Sequence, residues 1–77
     1  MVVSLADMKT GEVGVVTDIQ GGSGAARKIQ NIGITVGKKI KKTGAHFRRG
    51  PQTLSVDNFN VAIGFGMASK ILVEVKR

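Results

Sequence analysis

Eleven glycines in 77 residues break a Val- and Ile-rich sequence into short apolar runs, a pattern that favours short strands over long helices. Glu12 to Gln20 is the first clear strand, with Val13, Val15 and Ile19 on one face and Val16 on the other beside Asp18 and Gln20. Before it, Ser4 reads as the cap of a short turn plugged by Leu5 and Met8, and Lys9-Thr10-Gly11 turns the chain into the strand. Gly21 to Gly24 breaks the strand. Ala25, Ile29 and Ile32 then recur at helical spacing, with Ser23 as the expected N-cap and Gly33 as the left-handed residue past the end. Lys38 to Thr43 reads as an exposed or edge strand with Ile40 as its core residue. Gln52 to Val56 alternates with Leu54 and Val56 inward, and Asp57-Asn58 turns it into a partner strand carrying Val61, Ile63 and Phe65. After a tight turn over residues 66–69, Ile71 to Val75 closes the domain, and Lys76-Arg77 is tail. Five short strands and one inserted helix protect their edges most economically as a single small β-barrel domain spanning residues 1–77.

Size and composition narrow the function. A chain this short buries only about 60% of its unfolded surface, which leaves a thin core in which to carve an enzyme pocket. There is no Cys, so disulfides and thiolate metal clusters are excluded. The longest uncharged stretch, Asn58 to Ser69, is 12 residues, well short of the roughly 20 apolar residues that span a bilayer. No signal-peptide pattern opens the sequence, so a cytoplasmic location is expected. Twelve Lys and Arg against five acids give a net charge of +7, which draws nucleic acid, an anionic membrane face or an acidic protein surface.

The chemistry-bearing patterns are sparse. Gly21 to Gly24 precedes a helix but lacks the following βαβ unit and acid of a dinucleotide site, and Gly33 to Lys39 fails the phosphate-loop spacing by one residue. His46 is the only imidazole; with Glu12 or Asp18 it makes at most a weak surface site for a divalent metal, so no resident cofactor is expected beyond weak or transient ferrous or other divalent ion. No nucleophile has a base near it in sequence, and a non-enzymatic role is expected. The basic cluster Lys38, Lys39, Lys41, Lys42, Arg48 and Arg49 is the strongest feature. Phe47 is its sole aromatic, so it suits salt-sensitive attraction better than base stacking.

The order of the glycines and apolar residues carries a resemblance. Leu5-x-x-Met8-Lys9-x-Gly11-Glu12-x-Gly14-x-Val16-x-x-Ile19 is followed by Gly21-Gly22, then by Arg27-Lys28-Ile29-Gln30-Asn31-Ile32-Gly33-Ile34-x-x-Gly37, and near the end by Val61-Ala62-Ile63 and Ala68-x-x-Ile71-x-Val73. From Ser4 to Val75 this resembles the FeoA domain of ferrous iron uptake. The resemblance implies an SH3-like barrel with a helix after the first main strand, acting in the cytoplasm on FeoB, a membrane ferrous transporter with a cytosolic GTP-binding domain. A related domain ends some metal-dependent repressors, whose helix-turn-helix has no counterpart here. The chain departs from the family at Ala45 to Pro51, which keeps only the second proline of the usual loop. It departs again in the more basic Lys38 to Lys42 strand and at Gly64, where an Arg is common.

The expected partner surfaces are a helix face of Arg27, Lys28, Gln30 and Asn31 and a basic edge of Lys38, Lys39, Lys41, Lys42, Arg48 and Arg49. Gly11, Gly33 and Gly37 serve backbone geometry, while Ile29 and Ile32 hold the helix to the barrel. The rival readings are a nucleic-acid-binding barrel, a transition-metal-sensing module and a homo-oligomer paired through an exposed strand edge.

Overall fold

Each apolar run becomes a strand, and one short strand precedes those expected. In a computed structural model, which describes residues 1–45 and 50–77, β1 (Val2–Ser4) leads into a 3-10 turn (Leu5–Asp7). There follow β2 (Val13–Ile19), α1 (Gly22–Asn31), β3 (Lys39–Ala45), β4 (Gln52–Val56), β5 (Phe59–Ile63), the single-turn α2 (Phe65–Ala68) and β6 (Ile71–Val75). The strands form one antiparallel sheet in the order β1-β6-β2-β3-β4-β5. It is an SH3-like arrangement in which β1 and β5 are the two edges, so the ladder stays open instead of closing as a barrel. One continuous core, from Leu5 and Met8 to Val73 and Val75, is gathered from β2, β3, β4, β5, β6, both helices and the 3-10 turn.

Local signals explain most element boundaries. The Ser4 hydroxyl accepts from the Asp7 N–H at 3.2 Å, capping the 3-10 turn that carries buried Leu5. Asp57 and Asn58 both adopt positive φ (51° and 69°), the geometry of a two-residue hairpin turn between β4 and β5. α1 ends at Gly33, whose φ of 94° lets its N–H donate to Gln30 O while the Ile34 N–H reaches Ile29 O. That paired closure brings Ile34 down onto the core beside Ile29. Ile34, not the expected Ile32, therefore anchors the helix end; Ile32 is 37% exposed at the cap. The N-terminal cap is Gly21 in left-handed conformation, and Ser23 lies within the helix.

The sheet departs from the sequence expectations at three points, the first being that Ile19 does not share the face of Val13 and Val15. The inward residues at the start of β2 are Gly14 and Val16, while Val13 and Val15 face outward, each 42% exposed. Gly14 lies between Ile40 and Val75 on the neighbouring strands, and its missing side chain makes the strand start look apolar on the wrong face. A bulge between Val16 and Asp18 then shifts the phase, so that Ile19 pairs with inward Ile71. Secondly, β3 is no edge: it is hydrogen-bonded to β2 on one side and β4 on the other. Lastly, Lys42 does not belong to the basic surface, because it points into the core beside Ile40 and is 1% exposed. Its Nζ donates to the Leu5 and Ala6 carbonyls at 2.8 and 3.2 Å.

Two outcomes follow. A Cβ on Gly14 would lie 2.4 Å from a Val73 methyl and 2.7 Å from the Glu74 carbonyl oxygen, so Gly14→Ala must push β2 from β6. The substitution is expected to cost about 1–3 kcal/mol in urea unfolding, the usual scale of overpacking; an unchanged midpoint would mean the strands part there freely. Burial lowers the Lys42 pKa below its ordinary 10.5, with the Asp7 charge opposing the shift. Just below pH 10.5 the unfolded chain therefore holds a proton that the folded chain has released, and stability rises with pH there. Lys42→Met should flatten that rise in urea midpoints measured across the alkaline range; an identical slope in both proteins would refute it.

Candidate docking surface

Antiparallel pairing sorts the cations into distinct groups. On the outer face of the sheet, Val13 stands opposite Lys41 on β3, and Val15 stands opposite Lys39 on one side and Glu74 on the other. Lys41 in turn pairs with Ser55 on β4. Directly opposed residues on one face have Cβ atoms about 5 Å apart, so the two valines form a strip with lysines alongside. Glu12, Val13, Gly14, Val15, Lys39, Glu74 and Lys76 line a groove of ≈ 440 Å³ over this strip. A second hollow of ≈ 370 Å³ continues past Lys39 and Lys41 to Ser55 and Asp57.

The charges in and around the groove are not equivalent. Glu12 is held by Arg77, whose Nε and guanidinium NH2 each lie 3.0 Å from a carboxylate oxygen, and the same NH2 donates to the Asp7 carbonyl at 3.1 Å. The Lys9 N–H donates to Glu12 as well. The Arg77 hydrogen bonds, then that of Lys9, hold the Glu12 carboxyl down at about 2 from its ordinary 4.5. The N-terminal ammonium of Met1 pairs with Glu74, and Lys38 pairs with Asp57 at 2.6 Å. Among the described residues, Lys39, Lys41 and Lys76 have no ion-pair partner. The excess positive charge of this face therefore resides on those three side chains.

The sequence-derived candidates separate accordingly. Arg27, Lys28, Gln30 and Asn31 are all exposed on α1, and Ile32 and Val36 add exposed apolar area just beyond them. Lys39 and Lys41 are exposed on the outer face of β3, whereas Lys38 is engaged with Asp57 and Lys42 is interior. His46, Arg48 and Arg49 lie outside the described residues. Gly11, Gly33 and Gly37 all have φ between 91° and 94°. Among the described residues no group of three or more His, Cys, Asp or Glu converges as a metal site. No helix among them is long and apolar enough to cross a membrane. Sequence reasoning overlooked Val13, Val15, Lys76 and Arg77. The signal that finds them is the β2–β6 register, which places the chain end beside the start of β2.

The whole-chain comparison settles the family. The sequence profile described as the FeoA domain matches residues 3–75. The chain belongs to the FeoA domain family. A Methanocaldococcus jannaschii protein named "Putative Fe(2+) transport protein A" is 40% identical over 70 residues, covering 91% of this chain and 83% of that protein. The crystal structure of an iron uptake regulatory protein (FeoA) superposes with a TM-score of 0.90 at 36% identity, covering 99% of each chain. The solution structure of a FeoA-like protein from Clostridium acetobutylicum gives 0.85 at 27% identity, covering 96% of this chain and 86% of that one.

The Glu12–Arg77 pair gives a pH test. A carboxyl with depressed pKa contributes stability above its ordinary 4.5, and that contribution is lost as pH falls from 4.5 towards 2. Arg77→Gln should return the Glu12 titration towards 4.5 in a carboxyl-detected NMR experiment and move the acid limb of unfolding to higher pH. A Glu12 titration that stays near 2 in the variant would show that Arg77 does not cause the shift.

Proposed function

We propose that this FeoA-family protein is a non-enzymatic accessory protein of ferrous iron uptake. It docks on the cytosolic side of a FeoB-type GTP-binding transporter and modulates it at the inner face of the cytoplasmic membrane. Family membership and the naming of its relatives for iron transport support the uptake system. The observation that favours docking is the concentration of cations without an ion-pair partner among the described residues, Lys39 and Lys41 on β3 and Arg27 and Lys28 on α1, on exposed faces that the core does not use. Such charge steers an acidic partner into encounter, and its main effect is on association rate. Gln30 and Asn31 add directional hydrogen-bonding groups to the helix face. Any iron met in this role is cargo of the transporter.

The test is titration against the cytosolic domain of the same cell's FeoB-type transporter at about 0.05 and about 0.15 M salt, between which screening of surface charge increases. Saturable one-to-one binding at both salts is expected. Lys39→Glu with Lys41→Glu should slow association by about tenfold at the lower salt and flatten its salt dependence. Identical binding by the double variant across salt would remove β3 from the docking surface. An oligonucleotide that stays tightly bound at the higher salt would replace the reading with a nucleic-acid one.

A further inference from the structure

The groove over Val13 and Val15 has a composition that folding does not require. Both side chains face away from the core, and threonine would serve a solvent-facing β-strand position as well. They form an apolar floor. Lys41 flanks Val13 from β3, and Lys76 lines the groove from the end of β6; Lys39 flanks Val15. The two acids in the lining are already neutralised, Glu12 by Arg77 and Glu74 by the N-terminal ammonium. Residues 46–49 contain no acid that could pair with the three lysines.

We infer that this groove, apolar at its floor and cationic at its rim, binds a short acidic–apolar peptide segment of a protein partner, with carboxylates on Lys39, Lys41 and Lys76 and one or two aliphatic side chains on Val13 and Val15. This rests on the docking reading above and gives it a specific surface and partner chemistry. A second copy is disfavoured as occupant, because face-to-face association would oppose the same three unpaired lysines in a chain of net charge +7. A lipid surface is disfavoured too. The valines lie at the floor of a concavity, each less than half exposed, and do not project for insertion.

The experiment uses the whole protein, ¹⁵N-labelled, titrated with three capped hexapeptides: Glu-Glu-Leu-Leu-Glu-Glu, Glu-Glu-Ser-Ser-Glu-Glu and Ser-Ser-Leu-Leu-Ser-Ser. The first should give saturable shifts centred on the amides of Val13, Val15, Lys39, Lys41 and Lys76, and the other two should bind at least about tenfold more weakly. Lys39→Glu/Lys41→Glu and Val13→Thr/Val15→Thr should each weaken the first peptide about tenfold while keeping the spectrum of a folded protein elsewhere. The inference is overturned by no saturable shift, by shifts centred on α1, or by equal binding of the Ser-centred acidic peptide, which would reduce the effect to bulk charge. Concentration-dependent shifts of these amides in the protein alone would assign the face to a second copy. Shifts produced by phosphatidylglycerol–phosphatidylcholine vesicles and not by peptide would assign it to lipid. The transporter's cytosolic domain, titrated in parallel, keeps the two readings apart. A peptide that fails while the domain binds overturns the groove alone, and a peptide that binds while the domain does not overturns the transporter reading alone.

Discussion

Lys42 ties the N-terminal segment to the sheet through backbone and side chain at once. Its N–H donates to the Glu12 carbonyl and its own carbonyl accepts from Gly11, while its ammonium reaches across the core edge to the Leu5 and Ala6 carbonyls. The stretch from Leu5 to Glu12, which delivers the core residues Leu5 and Met8, is thereby wrapped around one residue of β3. A buried ammonium carries a desolvation cost that only close acceptors offset. The Leu5 carbonyl also accepts from the Met8 N–H, so the ammonium adds a charge-assisted bond to a carbonyl that closes the 3-10 turn. The two carbonyls compensate the buried charge, and a methylene stem long enough to reach them makes lysine the residue for it.

That arrangement divides β3 by parity. Its inward positions, Ile40 and Lys42, are committed to structure, and its outward positions, Lys39 and Lys41, are left to the surface. The same economy operates at the chain ends. The Met1 ammonium is spent on Glu74 and Arg77 on Glu12, so both termini fasten to the ends of strands while cancelling the negative charge on the outer face. Cationic character there thus arises less from an excess of lysine than from the removal of its counterions. The exposed Met1–Glu74 pair contributes little to stability; its consequence here is the sign of the surface.

Much of the fold was legible because it is written in local chemistry. The Ser4 cap, the left-handed Gly33, the Asp57-Asn58 turn and the Leu54/Val56 alternation all depend on residues within a few positions of one another. What escaped depends on pairing between distant strands. Gly14 contributes no hydropathy, so the face it occupies looks empty although it is the core face, and the bulge after Val16 hides the change of phase. Ile32 and Ile34 are equally apolar, and only the αL turn at Gly33 decides which reaches the core. Lys42 is indistinguishable by type from Lys39 or Lys41, and its burial emerges only when β3 is placed inside the sheet. Of the candidate surface, the helix face and Lys39/Lys41 were readable as exposed cations; the valine floor and Lys76 were not, because they meet through the β2–β6 register.

A thin-cored domain has few places to put a function. Inward positions of this sheet are filled by the cluster that holds it together, including the space a side chain would need at Gly14. A cavity cut into so small a core would remove contacts that the fold has no spare set of. The docking role proposed above therefore falls to the outside, to the back of α1 and the outer face of β2 and β3. There, strand alternation fixes side chains on a rigid lattice without drawing on core packing. Outward valines at 13 and 15 supply apolar area beside Lys39, Lys41 and Lys76, which have no ion-pair partner among the described residues. Charge alone gives attraction without register. An apolar strip set between charges gives register as well, since a partner must align its own aliphatic groups to the strip before its carboxylates can meet the rim.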